Sequence, residues 1–149
     1  MKIKSIFTIG FLSILFLLPL TRVNANSLSP AITQTMLSSG DTFDSKILFT
    51  NTTNKTVYIL PTVAGYNPKT SSILVKDTYF FVKTDTETFK VESGATISLS
   101  YKIVVPPNLP LGTYFNLIIL KQTNDAGFLN PQNSVGAVDN LSHLVVLHI

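Results

Sequence analysis

The sequence predicts an all-β protein: a two-sheet antiparallel sandwich of about seven strands. Several short segments alternate β-branched or aromatic residues with polar ones, which is typical of half-buried strands. Clusters of glycine, proline and asparagine separate these segments. In addition, no stretch of about a dozen residues has the apolar period of a helix. Together these three observations favour strands throughout.

The N-terminal segment has the features of a secretory signal peptide. Two lysines precede an apolar run at residues 6–18, and Val23 and Ala25 supply the small residues at the −3 and −1 positions of a cleavage point between Ala25 and Asn26. The alternative is a retained membrane anchor, but the run has 13 residues, whereas a span needs about 20. We therefore expect residues 1–25 to be a signal peptide and residues 26–149 one domain, with no transmembrane span after cleavage. The domain is then exported to the cell surface or the extracellular space, or to the periplasm of a diderm cell.

Charge and cysteine content exclude several functions. The full chain has a net charge of +3. Three of its eleven basic residues lie in the leader, so residues 26–149 carry eight lysines against eight acidic residues. A nucleic-acid partner is not expected, because such a partner requires surplus cations. With no cysteine in the chain, disulfides, thiolate metal sites and cysteine nucleophiles are excluded.

The strongest strand pattern lies at residues 95–105. Its odd positions are apolar and its even positions are mostly polar, as expected for a strand with one solvated face, and Pro106 ends it. Residues 113–122 are apolar on both faces, so we expect this strand to be the most central. Residues 43–50 and 56–63 flank a polar turn and are predicted to form a hairpin. The other predicted strands are residues 32–37, 79–83, 88–91 and 141–149, with a long loop at 124–140.

A recurring pattern runs through residues 92–115. It consists of a turn containing Gly94, an alternating strand that ends in Val-Pro, and Gly112-x-Tyr114 opening the next strand. It resembles immunoglobulin-like domains of exported bacterial proteins, including the N-terminal peptidoglycan-binding domain of WxL-interacting surface proteins. Ser39-Gly40-Asp41, before the strand at 43–50, resembles the first half of the same domains. The resemblance implies an immunoglobulin-like fold and a cell-wall polymer or an envelope protein as partner.

Gly112 and Tyr114 also resemble the tyrosine corner of immunoglobulin-like folds, in which the tyrosine hydroxyl bonds to upstream backbone. The usual aspartate before the glycine is missing, as is the cysteine pair. We expect a structural role for these two residues.

Side chains that could carry chemistry are few. His143 and His148 have an odd separation, so in one strand they face opposite sides and cannot share a metal. The carboxylates lie among serine, threonine and lysine, where solvated turns are expected rather than an acid–base pair. Residues 124–127 lack the dense carboxylates of a calcium loop. We expect no catalytic residue, no metal, no cofactor and no enzyme activity.

Two segments are candidates for partner contact. Tyr79, Phe80 and Phe81 place aromatic rings on both faces of a strand, so these rings either pack in the core or form an exposed patch that contacts a partner. Tyr66 on the preceding loop could extend an exposed patch. The second segment lies in the last predicted strand. It is either paired inside the sheet or forms an edge that adds to a neighbour and supports weak self-association; its residues are Leu144, Val145, Val146 and Leu147.

Two functions remain open. The first is a non-catalytic cell-envelope module that contacts peptidoglycan or another surface protein. The alternative is a periplasmic chaperone-like or assembly subunit that acts by β-strand addition. The sequence leaves the ligand and the oligomeric state open.

Overall fold

The computed structural model describes residues 25–74, 81–125 and 139–149, and these ranges contain ten β-strands. Apart from Ala25, the predicted signal peptide lies outside the described residues. Within those ranges no helix is long and apolar enough to cross a membrane. The strands are β1 (Ser27–Ser29), β2 (Ile32–Met36), β3 (Thr42–Thr50), β4 (Val57–Asn67), β5 (Ser72–Leu74), β6 (Val82–Thr84), β7 (Phe89–Val91), β8 (Thr96–Val104), β9 (Thr113–Thr123) and β10 (Asp139–His148).

The strands form two sheets, which confirms the predicted all-β sandwich. Sheet 1 has the order β1-β3-β8-β6, and sheet 2 has the order β2-β10-β9-β4-β5, with β7 also paired to β4. The described pairs are antiparallel except β2 and β10, which run parallel. The sequence does not predict β1 and β5, because each has three residues and is too short to show an alternation.

The N-terminal strand segment belongs to both sheets. β1 pairs with β3 in sheet 1, and after a cis peptide bond between Ser29 and Pro30 the chain continues as β2 beside β10 in sheet 2. Proline cannot donate to a ladder, so Pro30 ends the pairing of β1. One short segment therefore ties the two sheets together.

The predicted hairpin of residues 43–50 and 56–63 is wrong. β3 pairs with β8 along its whole length, whereas β4 pairs with β9 in the other sheet. The turn between them is an arch from sheet to sheet, built around the buried side chain of Asn51. Its Nδ2 donates to the carbonyl oxygens of Lys55 at 2.8 Å and Val91 at 3.0 Å, and its Oδ1 accepts from the Thr53 N–H at 3.0 Å. These bonds satisfy the arch backbone without strand pairing.

The core lies between the inner faces of the two sheets. Phe81, predicted as a possible partner contact, is buried here and meets Tyr114 edge-to-face with ring centroids 6.3 Å apart. The contact prediction is therefore wrong for Phe81, whose ring fills the space between the sheets. The other largest buried apolar side chains are Ile47, Phe49, Ile59, Val91, Ile103, Val105, Ile118, Leu120, Val145 and Leu147.

Candidate partner-binding face

Strand β9 has apolar side chains on both faces of sheet 2. Ile118 and Leu120 point inward and belong to the core. Phe115, Leu117 and Ile119 alternate with them and are half-buried, but they do not pack against the core cluster. These three residues therefore lie on the opposite side, which we call the outer face of sheet 2.

An apolar row crosses the outer face from strand to strand. Ile32 of β2 is the register partner of Leu144 in β10; Leu144 is opposite Leu117 in β9, and Leu117 is opposite Ala64 in β4. The next row along the strands pairs Val146 with Phe115. Directly opposed side chains in neighbouring strands lie within contact distance. These rows form an apolar surface over β10, β9 and β4 that reaches Ile32 in β2, where Gln34 lies opposite Val146 at its margin.

The apolar surface extends to both edges of the sheet. On one side β4 adds Tyr58, Leu60 and Tyr66, and Ile73 of β5, opposite Tyr66, is 52% exposed. On the other side Ile32 is 57% and Met36 79% exposed in β2. Every described strand belongs to one of the two sheets, so none packs across this face.

The outer face of sheet 1 has the opposite character. Leu48 is 41% exposed there, and Lys102 Nζ lies 3.4 Å from Asp44 Oδ1. Most of its remaining side chains are short and polar or charged: Thr42, Lys46, Thr50, Thr96, Ser98 and Ser100. Such a face is typical of a sheet that meets water. The apolar outer surface is thus a property of sheet 2 alone.

The lysines and the histidine on the outer face of sheet 2 lie toward its ends. At one end are the exposed Lys121 and Lys90, and Lys90 Nζ is 2.7 Å from Glu92 Oε1. The hydrogen bond with Glu92 raises the pKa of Lys90, and the same bond lowers the pKa of Glu92. At the other end His148 Nδ1 lies 3.0 Å from Thr113 Oγ1. The centre of the face favours an apolar partner, because a charged one would be desolvated there without compensation.

The residues predicted from the last strand divide between the two sides of sheet 2. Leu144 and Val146 lie on the outer face, whereas Val145 and Leu147 are buried in the core. All four have register partners in β9 on one side and in β2 on the other. Of the two alternatives predicted for residues 144–147, the structure has pairing inside the sheet; the free edge is wrong, because β2 occupies that position.

The aromatic contact residues divide as well. Tyr66 lies within β4 rather than in a loop and contributes to the outer face of sheet 2. Tyr79 and Phe80 lie outside the described residues. Sequence reasoning did not assign Tyr58, Leu60 and Leu117 to a binding face, although the apolar character of both faces of residues 113–122 was a signal for it.

Gly112 and Tyr114 have the geometry expected of a tyrosine corner. The Tyr114 hydroxyl donates to the Pro110 carbonyl oxygen at 2.7 Å. The Ile149 N–H donates to the Gly112 carbonyl oxygen at 3.0 Å. These bonds fix the loop before β9 to the end of β10, which is a structural role.

Several of the described titratable groups have structural partners. Asp41 Oδ2 accepts from the Ser38 N–H at 2.9 Å, and Asp44 pairs with Lys102. His143 points into the core and His148 points outward, as their spacing predicts. In the described part of the chain no three histidine, cysteine or acidic residues lie close enough together to hold a metal ion.

No family model matches the chain, and no curated protein matches it. Solved structures do resemble it. PapD-like domain 7 of human CEP192 has a TM-score of 0.57 at 11% identity, covering 84% of both chains. The fold is an immunoglobulin-like β-sandwich similar to that of PapD-like domains. A second similar structure is a chain of the CsuC–CsuE complex from Csu pili of Acinetobacter baumannii, a pre-assembly complex of a chaperone and a tip adhesion subunit. Its TM-score is 0.54 at 12% identity, and the match covers 83% of this chain and 56% of that chain.

A family 123 glycoside hydrolase from Clostridium perfringens also contains a similar domain, with a TM-score of 0.57 at 10% identity. The match covers 80% of this chain but 23% of the hydrolase chain. The match to this chain thus spans about half of the pilus-complex chain and about a quarter of the hydrolase chain. At such identities the likeness is one of fold, and different activities are found on one fold.

Proposed function

We propose that this domain is an exported, non-catalytic binding module of the cell envelope that contacts a protein partner through the outer face of sheet 2. The observation that carries the proposal is the apolar character of both faces of that sheet, beside a polar outer face on sheet 1. A sheet apolar on both faces is typical of one that is covered on both sides. The signal-peptide pattern at residues 1–25 supports export.

Among the partners suggested by the sequence, a protein fits this face better than peptidoglycan. Most side chains of the central rows are aliphatic or phenyl, and the hydroxyl of Thr62 already donates to the Ile119 carbonyl oxygen at 3.3 Å. A polymer of sugars and peptides needs many hydrogen-bonding groups, whereas these rows present few, namely Gln34 opposite Val146 and Ser142 opposite Ile119. Tyr58 and Tyr66 favour peptidoglycan as a second candidate, because aromatic rings can lie against the apolar face of a sugar.

Strand addition, the alternative from the sequence, is supported at a different edge. β1 pairs with residues 48–50 of β3, and β8 occupies the other side of β3 throughout. On the β1 side, residues 42–47 have no strand partner among the described residues. Unpaired N–H and C=O groups on the edge of a sheet are a template for another strand. The first half of β3 is therefore the edge at which a partner strand could add.

Retention on cell envelopes tests the proposal. The purified exported chain is mixed with envelopes from the producing cells, with protease-treated envelopes and with purified peptidoglycan, and the sedimented fraction is measured. We expect sedimentation with untreated envelopes alone, at least tenfold weaker for Leu117→Lys and unchanged for Leu48→Lys, the same substitution on the outer face of sheet 1.

The other outcomes of this experiment separate the candidates. Sedimentation with purified peptidoglycan, lost in Tyr58→Ala, would instead support the cell-wall partner. Binding that persists in Leu117→Lys but is lost when a proline replaces Lys46 would support strand addition at β3. A chain that sediments with none of the three materials would contradict the proposed function.

A further inference from the structure

We infer that the partner on the outer face of sheet 2 is a second copy of this chain, packed sheet against sheet about a two-fold axis. The inference rests on the proposed function and specifies its partner. It follows from the size of the face, from its self-complementary chemistry and from where its charges lie.

The outer face of sheet 2 is large enough to serve as an interaction site. Four neighbouring strands about 4.8 Å apart, and about eight residues at about 3.3 Å each, give a surface of about 500 Å². The largest apolar patch on a monomer is commonly of this size and is often functional. Ile32, Met36 and Ile73 at its margins are all more than half exposed, so the surface meets water in a single copy.

The chemistry of the face suits an identical copy. Its central rows present Leu144, Leu117, Val146 and Phe115, which need no specific donor or acceptor opposite them. Two such faces can pack about 10 Å apart with interdigitated side chains, the arrangement that already joins inner faces in sandwiches. An isologous contact of this kind closes after two copies.

The positions of the lysines favour one orientation of the two-fold axis of the dimer. A two-fold axis in the plane of the interface and perpendicular to the strands places the Lys121 end of one copy over the His148 end of the other. The lysines of the two copies then remain apart, and the apolar rows meet in the middle. Residues 26–149 carry eight lysines and eight acidic residues, so long-range repulsion between copies is absent.

The small area is typical of a weak association. Two faces bury about 1,000 Å² in total, which is at the lower limit for a specific interface. We therefore expect a dimer that dissociates on dilution in the micromolar range, about 1–100 µM.

The test is the molar mass of the chain as cells export it, measured by sedimentation equilibrium from about 1 to about 200 µM. The ratio of this mass to that of the same chain in denaturant is expected to rise with concentration from near one toward two for the wild type and for Leu48→Lys. It is expected to stay at one for Leu117→Lys, with an unchanged circular dichroism spectrum. A wild-type ratio of one throughout, or a dimer that persists in Leu117→Lys, would overturn the inference.

A second variant keeps the test decisive if Leu117→Lys fails to fold. The chain has no cysteine, so a single cysteine reports on its own neighbourhood. Under mild oxidation Leu117→Cys, at the centre of the face, is expected to form covalent dimers in high yield, whereas Ser98→Cys on the outer face of sheet 1 is not. Equal yields from the two variants would contradict the sheet-on-sheet dimer.

The two proposals can fail separately. A monomeric wild type that still requires Leu117 for envelope binding would refute the dimer and leave the binding module standing. A Leu117-dependent dimer that binds no envelope would leave the inferred contact standing but refute the role in the envelope.

Discussion

His143 of β10 and Tyr101 of β8 join the two sheets across the core, with His143 Nε2 3.3 Å from the Tyr101 hydroxyl and ring centroids 5.5 Å apart. On its other side His143 Nδ1 lies 2.8 Å from the Pro30 carbonyl oxygen. A carbonyl only accepts, so Nδ1 carries the proton and Nε2 accepts from the tyrosine. The neutral imidazole therefore satisfies both contacts, at the point where the N-terminal segment passes from sheet 1 to sheet 2.

Acid is expected to destabilise the domain through His143. Burial lowers the pKa of His143 below 6.5 in the folded state, so the unfolded chain binds the proton more readily. The free energy of unfolding should fall as the pH drops below about 6.5 and level off below the folded-state pKa. Urea unfolding at several pH values between about 7.5 and 5.5 measures this slope.

His143→Gln should be less stable than the wild type near neutral pH but should show a flatter pH profile. The matched control is His148→Gln, because His148 lies on the outer face of sheet 2 rather than in the core. His148→Gln is expected to retain the acid-dependent loss of stability. If His143→Gln retains the full slope, His143 is not its source.

Asn51→Ala is expected to destabilise the domain by about 3 kcal/mol. The substitution removes the side-chain bonds to the backbone of Lys55, Val91 and Thr53 and leaves buried groups without partners. Asn54→Ala, at an exposed position of the same turn, should change the free energy of unfolding by less than about 0.5 kcal/mol. Denaturant midpoints of the two variants provide the comparison, and equal midpoints would contradict this role of Asn51.

Gly94→Ala is expected to cost about 1–2 kcal/mol through backbone conformation alone. Gly94 has φ +74°, and an added Cβ would meet no atom within 4 Å. Gly112→Ala provides the control, because its φ is not in the left-handed region and its nearest contact would be an ordinary 3.6 Å to Tyr114. Thermal unfolding of both variants tests the difference, and a neutral Gly94→Ala would show that the turn relaxes to another conformation.

Tyr114→Phe should lower stability by about 1 kcal/mol, the net value of one hydrogen bond. It removes the bond to the Pro110 carbonyl oxygen but keeps the ring that packs on Phe81. Tyr66→Phe, on the outer face of sheet 2, is expected to change the free energy of unfolding by less than about 0.5 kcal/mol. A Tyr114→Phe variant as stable as the wild type would mean that water replaces the lost bond.

The side of the sheet on which each residue lies could largely be predicted from the sequence. The alternation along residues 95–105 correctly separates the buried Leu99, Tyr101 and Ile103 from the polar positions between them. A strand fixes side-chain direction by its own two-residue period, so this information is local. The same reasoning identifies 113–122 as apolar on both faces, and β9 lies inside sheet 2 between β10 and β4.

Strand neighbours could not be predicted in this way. A short polar turn between two strands suits a hairpin and an arch equally well, and β3 joins β8 rather than β4. The edge at residues 144–147 was similarly ambiguous, because its occupant β2 has half-buried threonines at positions 33 and 35 and no strong pattern of its own. Asn51 and Asn54 look equivalent in the sequence, and burial alone distinguishes them.

The parallel pairing of β2 with β10 has a consequence for the order in which the protein acquires its structure. Ile32 is opposite Leu144, so the first and last strands of sheet 2 are neighbours in space but nearly a whole chain apart in sequence. Such long-range contacts close large loops and slow folding. Sheet 2 cannot be completed until β10 has been synthesised, and a nascent chain that lacks β10 leaves β2 without its neighbour. The domain therefore folds after translation of its last strand, and until then its most apolar strand, β9, has an open edge.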